Sequence, residues 1–269
     1  RKHHQELRQV RDNGTWGLIA LSGIFLGLHF ASWITSLEYT SVTSSVVLVT
    51  TAPLWVALLS PLVLGEKPTI FVAIGLAVAL AGGVVVGMSE SCQWNGGQMT
   101  CSSLALFAQG RAFAGNVLAL VGAWLSAGYL LIGRKLRPRL SLPVYTFLVY
   151  GVGAVVLLLM VGVNRLPLGG YSAKTYLLLL ALAVVPQLLG HSTFNWALRY
   201  LSAAYVSVAL LGEPVGSSLL AYLLLAETPG VLEIAGGVLI LSGIYLASRP
   251  VRAGLPGAPA GVIHPPQPS

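Results

Sequence analysis

The sequence predicts an all-α, polytopic membrane protein built on an inverted-topology repeat, with eight spans present of an expected ten. Three observations carry that prediction. The apolar residues fall in span-length blocks, the basic residues sort by side, and the chain matches itself at a constant offset. Of 269 residues, 55% are hydrophobic and 9% charged, against roughly 25% charged in soluble domains. A block of ~20 apolar residues reaches ~30 Å as a helix, the thickness of a hydrocarbon core. Helices are the expected element, because an open strand in lipid leaves backbone groups unpaired. The ~10-residue alternating segments of a transmembrane barrel are not seen. The net charge of +7 fits topology signals at span ends better than a nucleic-acid footprint.

Taken in order, residues 1–15 are a basic segment. Spans follow at 16–36, 42–64 and 69–88, which together make a first repeat over 16–88. Residues 89–112 form a loop. Spans at 113–133, 141–163, 174–197, 203–225 and 230–248 make a second repeat over 113–248. The stretch 249–269 is rich in Pro, Gly and Ala and is expected to be a disordered tail.

With the first segment placed in the cytoplasm, twelve of the fifteen Lys and Arg residues fall inside. Only Arg111, Arg165 and Lys174 fall outside. That bias predicts a cell-membrane protein with both termini cytoplasmic. It also places the loop 89–112, with Cys92 and Cys101, outside, where an oxidising compartment permits a disulfide between them. Two free thiols are the alternative. A metal site is not expected from two Cys without nearby His, and no cofactor is implied.

Sliding the chain by 161 residues lays Tyr39 on Tyr200, Ser41 on Ser202 and Pro53 on Pro214. Glu66 falls on Glu227, Pro68 on Pro229, Gly75 on Gly236 and Gly82 on Gly243. Apolar matches alone would be cheap in such a chain, but matched Pro, Glu, Tyr and Gly are not. The offset moves the second span onto the seventh, a shift of five, so the copies face opposite ways across the membrane. The first two spans of the second repeat have no partner in the first, so about two further spans are expected upstream of Arg1.

Ile34 to Gly83 and Asn195 to Ile244 resemble the two halves of an EamA-type transporter of the drug/metabolite transporter superfamily. The resemblance rests on Tyr39-Thr40-Ser41, Pro53, Leu64-Gly65-Glu66-Lys67-Pro68, Gly75, Gly82 and Gly83. In the second half it rests on Gly212-Glu213-Pro214, Leu225-Ala226-Glu227-Thr228-Pro229, Gly236, Gly237 and Gly243. Ala226 departs from the Gly of the first half. The resemblance implies a five-plus-five inverted arrangement and transport of small metabolites such as amino acids.

Paired prolines in corresponding spans point to a transport site, so Pro53 and Pro214 are candidate hinges; a packing kink is the plainer reading. Glu213, at mid-span, costs roughly 2.5–3.5 kcal/mol on insertion scales and should face the interior. It is a candidate for substrate binding or proton exchange, or a neutral acid bonded to freed backbone. Gln187, His191 and Asn195 lie four apart and share one helix face. They line a cavity or bond between helices. His29 and Trp33 form a similar face on the first span. Thr50, Thr51 and, farther on, Trp124 complete the candidate substrate-binding set, with core or lipid-facing packing as the alternative for each. Gly23/Gly27, Gly83/Gly87 and Gly212/Gly216 suit close helix packing.

These features favour a secondary transporter that works by alternating access. No Gly-x-x-x-x-Gly-Lys-Ser/Thr loop is present to couple ATP directly. An intramembrane enzyme or a channel remains the alternative; neither a His-Glu-x-x-His motif nor a charged filter ring is seen. The expected partners are a small-molecule substrate and the lipid bilayer, not nucleic acid, with a homodimer left open.

Overall fold

The computed structural model describes residues 15–40, 42–95, 98–101, 110–226 and 228–249, together with Glu6 and Val10. The expected tail 249–269 lies outside them apart from Arg249. Helix α1 spans Trp16–Ser36, α2 Val42–Val49, α3 Ala52–Val63 and α4 Ile70–Ser91. A short antiparallel hairpin follows, β1 Cys92–Asn95 with β2 Gln98–Cys101. Then come α5 Gly110–Leu136, α6 Leu142–Val163 and α7 Ala173–Leu182. A π-helical segment, Ala183–His191, leads into α8 Ser192–Ala197. Helices α9 Ala203–Leu210, α10 Glu213–Leu225 and α11 Val231–Ala247 complete the described chain.

All eight expected spans appear as helix. Among the described residues, five stretches are long and apolar enough to cross a membrane: Trp16–Ser36, Ser44–Val63, Arg111–Leu136, Leu142–Val163 and Ala173–Ala197. The other three, Ile70–Val86, Ala203–Gly216 and Val231–Ala247, are shorter apolar helices. The chain is a multi-pass membrane protein. Two boundaries depart from expectation: α4 runs on to Ser91, and residues 92–95 pair with 98–101 as strands. The apolar run ends near Gly87, but nothing local stops the helix there.

The second and seventh spans are both broken, and at matched places. Turn residues Thr50 and Thr51 separate α2 from α3, and Leu211 and Gly212 separate α9 from α10. These positions are related by the same offset of 161. The prolines explain why. A proline ring collides with the carbonyl four residues back and offers no N–H to it. For Pro53 and Pro214 those residues are Val49 and Leu210, the last of their half-helices. The threonine hydroxyls add bonds to carbonyls that the backbone already meets: Thr50 Oγ1 donates to Val46 O at 2.8 Å and Thr51 Oγ1 to Leu48 O at 2.6 Å.

The turns after α3 and α10 repeat too. Gly65 has φ of 71° and Ala226 φ of 56°, so both occupy the left-handed region. Ala226 keeps a backbone shape that suits glycine.

Helices α4 and α11 cross antiparallel through their glycines. A Cβ on Gly75 would sit 2.4 Å from Gly243 O, and one on Gly82 2.7 Å from Gly236 O. In return, a Cβ on Gly243 would lie 2.5 Å from Gly75 O, and one on Gly236 2.7 Å from Gly82 O. Adding 161 to the α4 member of a pair and subtracting 161 from its α11 member generates the other pair. This is the self-complementary contact of a two-fold axis, drawn within one chain.

Gly23 and Gly27 pack as expected, against Val152 and Gly153 of α6. Gly83 and Gly216 do not: an added Cβ would meet nothing within 4 Å at either. Small-residue spacing alone does not say which face of a helix has a neighbour.

Candidate functional site

Residues of α1, α5 and α6 meet His191 of the π segment and Asn195 of α8. His29 of α1 is 7% exposed, and its Nδ1 lies 2.9 Å from the carbonyl of Gly122 on α5. A carbonyl accepts only, so Nδ1 carries the proton and Nε2 is left as an acceptor in the neutral ring. Trp33, one turn on, stacks on His29 with ring centroids 5.9 Å apart. Its Nε1 is buried with no partner among the described residues.

His191 closes the π segment and approaches the same place from the other repeat. Its ring lies 5.4 Å from Phe30, 6.2 Å from Tyr129 and 6.2 Å from Phe194. Phe30 touches both histidines, at 5.0 Å from His29. The π segment arises around Pro186, whose missing N–H breaks the α-helical ladder. Such segments often sit at functional sites.

Asn195 is fully buried. Its Nδ2 donates to Tyr129 Oη at 2.6 Å and to Tyr150 Oη at 3.1 Å. Tyr150 Oη lies 3.3 Å from Ser192 Oγ, and Tyr145 Oη 3.2 Å from Ser22 Oγ. Asn195 Oδ1 is buried without a partner among the described residues. In this arrangement the asparagine amide is engaged between helices, while one acceptor on it stays open.

Other candidates fall nearby or apart. Trp124 is 47% exposed and meets Trp55 edge-on at 5.4 Å. Trp55 Nε1 donates to Thr51 Oγ1 at 3.3 Å, which ties this pair to the break in the second span. Thr50 caps its own helix, as described. Gln187 is half-buried on the π segment. Glu213 opens α10 and is exposed; among the described residues no hydrogen bond or ion pair joins it to the histidine cluster. A cavity of about 250 Å³ lies elsewhere, between α10 and α11 against Val86. Its lining is almost wholly apolar and includes Pro214 but neither histidine. Aromatic rings already fill the space around the histidines.

Sequence reasoning missed Tyr129, Tyr145 and Tyr150. Tyrosines in membrane proteins are read first as interfacial anchors. Asn195 held the signal, since a polar group at such depth needs a partner on another helix. Arg137, 1% exposed just past α5, was also missed. It lies over the Tyr145 ring at 5.8 Å and donates to Asn195 O at 2.7 Å. Burial lowers its pKa from the ordinary arginine value, and Arg199 adds in the same direction. The side chains of Cys92 and Cys101 lie outside the described residues, but the hairpin register sets their Cα atoms opposite one another.

Comparison with known proteins identifies the family. The EamA-like transporter family profile matches residues 3–88 and 113–249. The chain belongs to the EamA-like transporter family. It is similar to an uncharacterized transporter of Archaeoglobus fulgidus, 27% identical over 235 residues, covering 86% of this chain and 74% of that one. It is also similar to the uncharacterized transporter YyaM of Bacillus subtilis, 24% identical over 253 residues, covering 91% of this chain and 76% of that one. A crystal structure superposes with a TM-score of 0.67 at 19% identity, covering 87% of this chain and 75% of the other. That likeness concerns the fold alone.

Proposed function

We propose that this transporter is a secondary carrier of small polar metabolites such as amino acids, working by alternating access of two inverted halves. The observation that carries the reading is the pair of breaks at Thr50-Thr51 and Leu211-Gly212, related by the repeat offset. Discontinuous helices in corresponding spans are a recurring device for substrate sites in such carriers. His29, Trp33, His191 and Asn195 offer the polar groups that would meet a substrate, with Thr51, Trp55 and Trp124 at the break. Trp33 Nε1 and Asn195 Oδ1 supply one open donor and one open acceptor, which suits a zwitterion or a neutral polar solute. Pro53 and Pro214 act as hinges in this reading. Gln187 and Glu213 join the site only if the halves move. The basic residues favour the cell membrane with both termini cytoplasmic, and the Cys92–Cys101 register supports a disulfide on the outer side.

The test is gradient-driven uptake and efflux in proteoliposomes of the full-length protein, across a broad metabolite panel. Flux of at least one small polar solute is expected, lost in His191→Ala. Absence of flux for every member of the panel sinks the reading. Within that assay, unchanged pH dependence in Glu213→Gln removes Glu213 from proton coupling.

A further inference from the structure

At one end of the molecule, Glu66 of the first repeat meets one side chain and one backbone N–H of the second. Arg134, in the last turn of α5, donates from Nε to Glu66 Oε1 at 2.6 Å. Its Nη1 donates to the carbonyl of Leu198 at 2.9 Å and to that of Arg199 at 3.2 Å. The other carboxylate oxygen, Glu66 Oε2, accepts from Ala203 N at 3.4 Å, at the start of α9. The left-handed turn at Gly65 aims Glu66 at this point. Arg134 thus fastens the turn between α8 and α9, and Glu66 fastens the first repeat onto that turn.

The fastened turn is continuous with the polar cluster. Arg134 holds Leu198 O and Arg199 O, Arg137 holds Asn195 O and Leu140 O, and the Asn195 side chain bonds Tyr129 and Tyr150. Only Trp196 and Ala197 lie between Asn195, with its open acceptor, and Leu198, whose carbonyl Arg134 holds. At the opposite end of α5 the repeats meet differently. Thr40 Oγ1 donates to Asn116 Oδ1 at 2.8 Å, and Arg111 lies 5.1 Å over the Tyr39 ring. No carboxylate takes part in either contact.

We propose that Glu66 and Arg134 form a gate pair, closed in this structure, that parts in each cycle to open the face bearing the α5–α6 turn. The proposal rests on the alternating-access reading. An inverted repeat interconverts by moving one half against the other, so a bond across the halves at one face is made in one state and lost in the other. The chemistry suits repeated opening. Both side chains are partly exposed, at 21% and 27%, and partly exposed pairs bind weakly because water competes for both ions. In the sequence, the offset carries Glu66 onto Glu227. A substrate that takes up the Asn195 acceptor pulls on the same stretch of chain that the gate pair fastens.

Two measurements test this on the full-length protein. The first is flux in proteoliposomes of Glu66→Cys/Arg134→Cys, linked by a short, reducible bifunctional thiol reagent. Linking should lower flux by about tenfold or more, and reduction should restore it, while wild type and each single variant treated alike stay unchanged. Linked protein that transports at its unlinked rate overturns the proposal, because a merely structural contact need not open. The second measurement does not need a substrate. Ser207, buried on α9 beyond Ala203, is replaced by Cys, and its modification by an impermeant thiol reagent is followed by peptide mass spectrometry. Adding Glu66→Gln should speed modification from the α5–α6 face by about fivefold, since loss of a weak pair shifts a two-state population by that order. Equal rates with and without Glu66→Gln overturn the gate. Absence of flux in wild type sinks the transport reading, and the labelling rates still decide the pair.

Discussion

Substituting alanine at Gly243 tests the pseudo-two-fold crossing of α4 and α11 most sharply. The new Cβ would lie 2.5 Å from Gly75 O, 2.6 Å from Ala79 N and 2.7 Å from Ala79 Cβ. Carbon contacts are optimal at about 3.5–4.0 Å, so the helices must part by roughly 1 Å there. Two of the three obstacles are backbone and cannot rotate away. A gap of that size forfeits about a quarter to a half of each dispersion contact along the crossing. Overpacking of this kind costs about 1–3 kcal/mol. Alanine also favours the helix over glycine by up to about 1 kcal/mol. Gly83→Ala is the matched control, because a Cβ there meets nothing within 4 Å; it receives the propensity gain without the clash. Gly243→Ala should therefore be less stable than Gly83→Ala by about 1–3 kcal/mol, read as denaturant or thermal unfolding in one detergent. The symmetry adds a second condition. Gly82→Ala, whose Cβ would meet Gly236 O at 2.7 Å and Ile240 N at 2.8 Å, should lose about as much as Gly243→Ala. Equal stability of Gly243→Ala and Gly83→Ala would falsify the crossing itself. A loss at Gly243 with none at Gly82 refutes the symmetry.

Four further outcomes are expected. Gly65→Ala should lose about 1 kcal/mol, because its φ of 71° is costly for a residue with a Cβ; the reverse change, Ala226→Gly, should be neutral or gain up to that amount, and the unfolding midpoints of the two variants decide it. Trp33→Phe should leave the unfolding temperature unchanged, since Nε1 bonds nothing in the described protein, yet raise KM for a substrate that accepts from it by about tenfold; an unchanged KM removes that N–H from the site. Asn195→Leu should cost about 1–3 kcal/mol by removing the amide donor that the hydroxyls of Tyr129 and Tyr150 share, and retention of wild-type stability would show that water replaces the amide. Non-reducing peptide mapping should recover Cys92 and Cys101 in one linked peptide, whereas alkylation of both thiols without reductant argues against the bond.

The breaks and turns were legible because they depend on short-range covalent facts. Pro53 and Pro214 forbid particular hydrogen bonds wherever they stand, so the half-helices end at Val49 and Leu210. The αL turns at Gly65 and Ala226 follow from the same local grammar, and the offset warned that they would match. The glycine crossing was half legible. The offset matched Gly75 and Gly82 to Gly236 and Gly243, whereas small-residue spacing marked Gly83, where an added Cβ meets nothing within 4 Å. Only tertiary packing distinguishes neighbours that differ by a rotation of about 100° around the helix.

The polar cluster was harder to read, for a reason that bears on how the protein works. Helical spacing grouped Gln187, His191 and Asn195 on one face, yet the π segment around Pro186 feeds them into different surroundings. Asn195 reaches the buried tyrosines, His191 the aromatic rings, and Gln187 neither. Each of those partners comes from another helix, at sequence distances of 45 and 66 for the tyrosine bonds, which a periodicity argument does not see. The same non-local geometry makes the cluster sensitive to movement. His29 belongs to the first repeat and His191 to the second, and both lean on Phe30. A shift of one half against the other must change that meeting before it changes any bond within a single helix. Local rules therefore located the helix breaks, and the polar cluster became visible only where the two halves touch.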